Sequence, residues 1–423
     1  MEAVSEMTHA DVLRQLYPRV LAKTFGMTRA LPDAEDAVHD AVERALEAWP
    51  RSGTPDSPEA WLITVAANAY RDRLRRIRRE EPREDALESL AQMSPWARIA
   101  PADPEVARGW KDELLRLLFA CCHPKLDEGE SAALALATVV GLSTREIAAA
   151  FVVAPRSMEQ RLTRARQRLR EHGDSAGVAP GNSENRLGAV LCAIHLLFNE
   201  GYWSSSGESG IRADLCRLAI GLARSLLEAH PGAPEAAGLL ALLLLHDARR
   251  SARLDPDGET VTLPEQDRER WDHDSIVRAT ELLERALAAG EAGPYQTEAA
   301  IAAVHCRART AAETDWSEIA ALYALLESLR PIPAVRVNRA FALARAKGAA
   351  AGLALLDEKA TLDADAYPYV HLVRGTLLGE LGQFDAARRA LERAERHARN
   401  THERAQIREQ LAKLGAGDGS TLA

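Results

Sequence analysis

The chain of 423 residues lacks any long apolar run. The longest, Leu239 to Leu245, falls far short of the roughly 20 residues that a membrane span needs. The opening stretch, MEAVSEMTHADVL, holds neither a basic segment nor an apolar one, so no secretion signal is expected. Aromatic residues make up only 5%, and no segment alternates polar and apolar residues for long enough to read as a strand. Cysteine is sparse and odd in number, at five, which excludes a disulfide framework. A glycine-rich phosphate loop, a nucleophile elbow and a metalloprotease helix are all missing. Cys121-Cys122-His123 lacks the C-x-x-C spacing of a metal or redox site and reads as a buried helix end. No enzyme activity, cofactor or metal is expected, and the compartment expected is the reducing cytoplasm, away from membranes.

What is present favours helices. Ala, Leu, Arg and Glu dominate, and 47% of the residues are hydrophobic against 27% charged, the balance of a folded chain. The predicted fold is all-α. Proline- and glycine-containing breaks divide it. One lies at Pro50 to Ser57. A second runs from Glu80 to Pro104 and holds Pro82, Pro95, Pro101 and Pro104. A third, His172 to Arg186, contains three glycines. The resulting expectation is a domain over 1–80, a linker over 81–110, a second domain over 111–173, a linker over 174–186, a helical segment over 187–290 and helical repeats over 291–423. The repeats rest on spacing. Gly348 and Gly382 stand 34 residues apart, the period of tetratricopeptide helix pairs, and Trp316 and Phe384 stand at twice that. The best copy begins near Pro368 and places Gly375, Leu378, Gly382, Phe384, Ala387, Leu391 and Ala394 where small or bulky residues would let paired helices approach and fill the next groove. Such pairs stack into a solenoid whose inner face can hold a partner.

The net charge of -9 hides two basic helices. Arg71 to Arg79 holds six Arg and one Asp, and Arg156 to Arg170 six Arg and one Glu; each carries +5, so the rest of the chain carries -19. Such segregation is the footprint of phosphate contact. The second basic helix closes a helix-turn-helix pattern. Ser143 and Glu146 form a capping box, Ile147, Ala148 and Phe151 face inward, and Pro155 ends the first helix. Val152 stands where the turn usually has glycine. Met158, Leu162, Ala165 and Leu169 then form a core stripe, leaving Arg156, Ser157, Gln160, Arg161 and Arg164 outside, as in a recognition helix.

Upstream, Leu31 to Trp49 reads as an amphipathic helix. Val38, Ala41, Val42, Ala45, Leu46 and Trp49 form its buried stripe, Asp36, Asp40, Glu43 and Glu47 line another face, and Asp33 is positioned to cap it. Ser57-Pro58 opens the next helix, whose Trp61, Leu62, Val65 and Ala66 are core and whose far half carries the arginines.

This order of elements resembles bacterial RNA polymerase sigma factors of the extracytoplasmic-function type. Phe119-Ala-Cys-Cys-His-Pro124, Leu197-Phe-Asn-Glu-Gly-Tyr202 and Gly293-Pro-Tyr-Gln296 resemble the subgroup with a long C-terminal tetratricopeptide-like extension. The resemblance implies promoter recognition and strand opening on behalf of a polymerase. It implies that Asp33, Glu35, Asp36 and Asp40, with Trp49 in support, dock on the β′ clamp helices of core RNA polymerase, with the β flap as a further contact. It implies that the loop Arg51 to Ser57 pockets a flipped base, that Asn68, Tyr70, Arg71, Arg73, Arg75 and Arg76 hold the −10 strand, and that Arg156, Ser157, Gln160, Arg161 and Arg164 read the −35 duplex. Ala67 stands where these families often carry Arg. The linker from Glu80 to Pro104 would thread toward the RNA exit path. Asn199, Glu200, Tyr202 and Trp203 form a polar-aromatic turn that is a candidate regulatory site. The extension is expected to regulate the factor, through a protein partner or an intramolecular contact. Two rival readings remain: a helix-turn-helix regulator that binds an operator without polymerase, and a protein-binding scaffold.

Overall fold

The computed structural model describes residues 8–80, 106–151, 153–172, 184–202, 211–255, 261–290, 292–358, 367, 369–398 and 401–415. Among them the regular elements are helices and no strand occurs. Of the expected linker 81–110, residues 81–105 lie outside the described residues and 106–110 are already helical; residues 174–183 of the expected linker 174–186, with Gly173, the turn residue Val152 and Pro368, also lie outside them.

Helix α1 (His9–Thr28) opens on a capping box in which Thr8 and Asp11 satisfy each other's backbone N–H groups. Helix α2 (Leu31–Ser52) differs from the sequence reading at both ends. Its N-cap is Ala30 with no side-chain cap, Pro32 lies in the first turn, and Asp33 sits inside the helix. At the other end it runs through Pro50 to Ser52. Proline costs little there, because Pro50 is exposed and forfeits one backbone bond near the helix end. The loop therefore shrinks to residues 53–57, with Gly53 at φ 81°. Helix α3 (Pro58–Glu80) completes a three-helix cluster around Val20, Leu21, Val38, Ala41, Trp49 and Leu62. Trp49 is 1% exposed and lies edge-on to the rings of His9 and Trp61. Leu46, expected in the stripe, is 49% exposed. The stripe runs Ala34, Val38, Ala41, Ala45, Trp49, and Leu46 is rotated about 100° beyond Ala45.

Helix α4 (Val106–Cys121) leads to α5 (Glu128–Ala135), which opens on an Asp127–Glu130 capping box and continues into a π-turn over Leu136–Val140. Helices α6 (Thr144–Ala150) and α7 (Pro155–His172) form the helix-turn-helix. The Ser143–Glu146 box is present, and Ile147, Ala148, Met158, Leu162, Ala165 and Leu169 are buried as the periodicity predicts.

Helix α8 (Glu184–Tyr202) packs on α5 and buries Val190, Leu191, Ile194, Leu197 and Phe198. Its end meets the start of α9 (Ala213–Ala229), where the Arg212 N–H donates to the Gly201 carbonyl at 2.7 Å. A Cβ on Gly201 would stand 2.8 Å from the Cys216 nitrogen, so this approach requires glycine. The first compact unit comprises Met1–Gly207 and Ile211–Leu226. The division at 174–186, drawn from the glycine-rich linker, and the division into compact units therefore do not coincide. Residues 184–202 and 211–226 fold with the first unit, where α8 covers the apolar face of α5.

The second unit comprises Glu208–Gly210 and Leu227–Ala423. Helix α10 (Pro234–Asp247) is buried on nearly every side, which accounts for the Leu239–Leu245 run. It is flanked by α11 (His273–Leu287) and α12 (Pro294–Arg307). The Glu235 carboxylate accepts the Tyr295 and Gln296 N–H groups, both at 3.0 Å. The Gly293-Pro-Tyr-Gln296 motif is therefore a helix start closed by a carboxylate from α10. Helix α12 pairs with α13 (Trp316–Leu329), α14 (Pro333–Lys347) with α15 (Ala349–Asp357) and α16 (Tyr369–Glu380) with α17 (Phe384–His397), and α18 (Thr401–Gly415) follows. In the pair α16–α17, a Cβ on Gly375 would stand 2.7 Å from Leu391 Cγ, the close approach read from the spacing. Phe384 departs from its expected role and is 42% exposed rather than filling a groove. Pairs open at Pro294, Pro333 and Tyr369, steps of 39 and 36 residues, so a strict 34-residue period is not kept.

Candidate nucleic-acid interface

Helix α7 presents the residues that the helix-turn-helix pattern sets outside. Arg156, Ser157, Gln160 and Arg164 are exposed. Pro155 in the first turn fixes where the helix begins, and the buried Met158–Leu162–Ala165–Leu169 stripe fixes its rotation. Arg161 is half-buried, its guanidinium carbon 5.8 Å from the centre of the Phe151 ring. That contact ties α7 to the end of α6.

Two arginines of the same helix face inward. Arg168 pairs with Glu130 of α5, and Arg166 lies 3.8 Å from Glu35 of α2. The charge count on α7 therefore overstates what is available to phosphate. Glu35, read from sequence as a docking residue, is 8% exposed. Burial raises its pKa, with Arg166 and His39 opposing the rise. The alternation of charge on α2 gave no sign of this inward turn, because both partners are distant in sequence.

The acidic and arginine helices also meet. Arg73 of α3 donates to Asp36 and stands 3.7 Å from Asp33. The Asp36 bond holds the guanidinium above its ordinary pKa. Asp40, Glu43 and Glu47 stay exposed on α2. On α3, Asn68 accepts from Arg71 at 2.7 Å, Arg75 pairs with Asp72 at 3.2 Å, Arg76 is exposed and Tyr70 is half-buried. Trp49, wholly buried behind the loop, braces the end of α2.

Arg212 reaches Glu146 at 2.9 Å, so the chain after the second linker buttresses the first helix of the helix-turn-helix, a contact that sequence reasoning missed. At the end of α8, Asn199 is exposed while Glu200 is 3% exposed, so the two point apart. Tyr202 stacks on Phe198 with ring centres 5.4 Å apart. Trp203 lies outside the described residues. Cys121 and Cys122 are buried free thiols whose pKa values burial drives up. Among the described residues no cluster of His, Cys, Asp or Glu is placed to hold a metal, and no helix is long and apolar enough to cross a membrane.

A helix-turn-helix with an exposed basic helix, joined to a three-helix cluster with an acidic and an arginine helix, defines a DNA-binding protein of the sigma-70 type. Residues 12–80 match Sigma-70 region 2, residues 116–169 match Sigma-70 region 4, and residues 186–287 match a family of unknown function (DUF6596). An uncharacterized protein of Rhizobium meliloti is 42% identical over 402 residues, 94% of each chain. RNA polymerase sigma factor CnrH of Cupriavidus metallidurans is 32% identical over 149 residues, 35% of this chain and 76% of that one. ECF RNA polymerase sigma factor SigE of Mycolicibacterium smegmatis is 27% identical over 165 residues, 38% of this chain and 60% of that one. No solved structure matches. The chain belongs to the extracytoplasmic-function RNA polymerase sigma factors, in a form with a helical C-terminal extension.

Proposed function

We propose that this sigma factor docks on the β′ clamp helices and β flap of core polymerase, opens the −10 element with α3 and reads the −35 element with α7, and that its extension regulates these steps. The observation that carries the reading is the row Arg156, Ser157, Gln160 and Arg164, exposed on the second helix of the helix-turn-helix. Exposed Arg71, Arg75 and Arg76 supply phosphate contacts along a separated strand. Asp40 is the cleanest docking residue, because Asp33 and Asp36 are engaged by Arg73 and Glu35 is buried. A polymerase-bound factor exchanges the Arg73 pairs for contacts to its partners, at small cost, since both sides are partly exposed.

Run-off transcription with bacterial core polymerase on the promoter of its own operon tests the reading. Asp40→Arg is expected to abolish specific transcripts and Arg164→Ala to reduce them. Residues 1–230, which keep α8 and α9, are expected to transcribe at an altered level. Full activity in the Asp40→Arg variant rejects docking through α2, and unchanged activity of 1–230 rejects control by the extension. Tight duplex binding by the protein alone, with no transcript from any form, points to an operator-binding regulator.

A further inference from the structure

Within the second unit, the turn that follows α10 and the end of α12 bring together two guanidiniums that form no ion pair among the described residues. Arg249 is 5% exposed. One of its nitrogens lies 2.7 Å from His246 Nδ1, its guanidinium carbon stands 5.9 Å from the centre of the Trp271 ring, and its Nε is buried without an acceptor. Arg268 lies against the same ring at 4.6 Å, and its Nη1 donates to the carbonyls of His305 and Ala308, both at 2.7 Å. Neither guanidinium has an ion-pair partner among the described residues. The carboxylate next along the chain, Asp247, is taken up by Arg250 at 3.2 Å, and Glu313 acts on Arg268 only at longer range. Trp271 is 4% exposed, and its Nε1 is a further buried donor with no acceptor. His305 is held neutral: burial, then Arg249 and Arg268, push its pKa down to about 4.

A buried cation is costly unless a counter-charge accompanies it. Here two cations share one indole, and Arg249 Nε and Trp271 Nε1 are buried donors without acceptors, while the Gln266 Oε1 of the same turn is a buried acceptor without a donor. The deficit among the described residues is therefore of negative charge beside Arg249 and Arg268, with two N–H donors left to bond an anion. A carboxylate would neutralise only one guanidinium. A phosphate carries -1.5 to -2 near neutrality and offers three or four acceptor oxygens, which fits two guanidiniums and an indole N–H.

We propose that Arg249, Arg268 and Trp271, with His246 and His305 beside them, form a binding site for a small phosphate-bearing ligand, either inorganic phosphate or the terminal phosphoryl group of a metabolite. The arginines neutralise it, and the ring holds both guanidiniums in place. If the extension controls transcription, this ligand is the signal it receives. That consequence rests on the proposed function, whereas the site itself does not.

Calorimetric titration and thermal melting of the full-length protein test the site without polymerase, so failure here is separate from failure of the sigma reading. Inorganic phosphate, glycerol 3-phosphate, sulfate and acetate are compared with chloride at matched ionic strength. Phosphate or glycerol 3-phosphate is expected to bind saturably and raise the melting temperature, and the stronger of the two identifies the source. Arg249→Met and Arg268→Met are each expected to weaken binding at least tenfold. Should Arg249→Met fail to fold, the emission of Trp271, taken as the difference from Trp271→Phe, provides a second readout and is expected to change saturably with phosphate. A response no greater than that to chloride, a preference for acetate, or undiminished binding in Arg268→Met overturns the proposal.

Discussion

Arginines only two residues apart on α7 have different surroundings, because they point to opposite sides of the helix. Arg164 points outward and bonds only its own helix, at the Gln160 carbonyl. Arg166, two residues on, turns to Glu35. Arg164→Ala should weaken holoenzyme binding to promoter DNA and lower the salt slope by about 1, with stability unchanged to within about 0.5 kcal/mol. Arg166→Ala should leave the salt slope alone and cost at most about 1 kcal/mol, because its side chain is 40% exposed. Promoter titrations over a salt series, with urea melts of both variants, check the contrast. Equal salt slopes for the two variants would sink it. His305 gives a second prediction at this scale. Its folded-state pKa of about 4 lies below its ordinary 6.5, so the unfolded chain takes up the proton first as pH falls. The stabilising difference is complete above pH 6.5 and is lost as pH falls toward 4, by about 3 kcal/mol in phosphate-free buffer. His305→Gln should flatten that dependence. A wild-type unfolding free energy that is level over this range refutes the assignment.

At the scale of elements, helices with a clean period were legible, and contacts between distant segments were not. The stripe Met158, Leu162, Ala165, Leu169 and the Ser143–Glu146 box are local patterns, and both are present as read. The inward turn of Glu35, the Arg73–Asp36 pair and the Arg212–Glu146 bond join positions far apart in sequence, and nothing local announces them. Leu46 and Phe384 show the converse limit, because an apolar residue at a stripe's edge carries no sign of which side it takes. The least legible element was α8. A glycine-rich linker precedes it, so composition puts a boundary there, yet its Val190, Leu191, Ile194, Leu197 and Phe198 are buried with the helix-turn-helix. A protein ending near residue 175 should therefore lose stability in the helix-turn-helix, or aggregate through the uncovered face, since each buried side chain of this size contributes roughly 1.5–3 kcal/mol. One ending near residue 230 should remain soluble and cooperative. Urea unfolding and light scattering of the two fragments decide it. Equal stability would show that α8 merely rests on the helix-turn-helix.

At the scale of the whole molecule, two cores are built from separate stretches of chain. One centres on Trp49, Ile147 and Met158, the other on the buried helix α10 and the helix pairs after it. Units with their own cores unfold as separate cooperative transitions unless a large interface couples them. Calorimetry of the full chain should show two transitions, each movable alone. Ile147 and Leu239 are both 0% exposed, so Ile147→Ala and Leu239→Ala should each cost about 2–5 kcal/mol in their own unit. For units near 200 residues that lowers the corresponding melting temperature by roughly 5–15 °C and leaves the other in place. The same scan assigns the oxyanion site, because phosphate should raise only the transition that Leu239→Ala lowers. A single transition that both substitutions shift alike would mean that the extension and the helix-turn-helix fold as one, and that a ligand bound in the extension acts on α7 through stability rather than through a change of contacts.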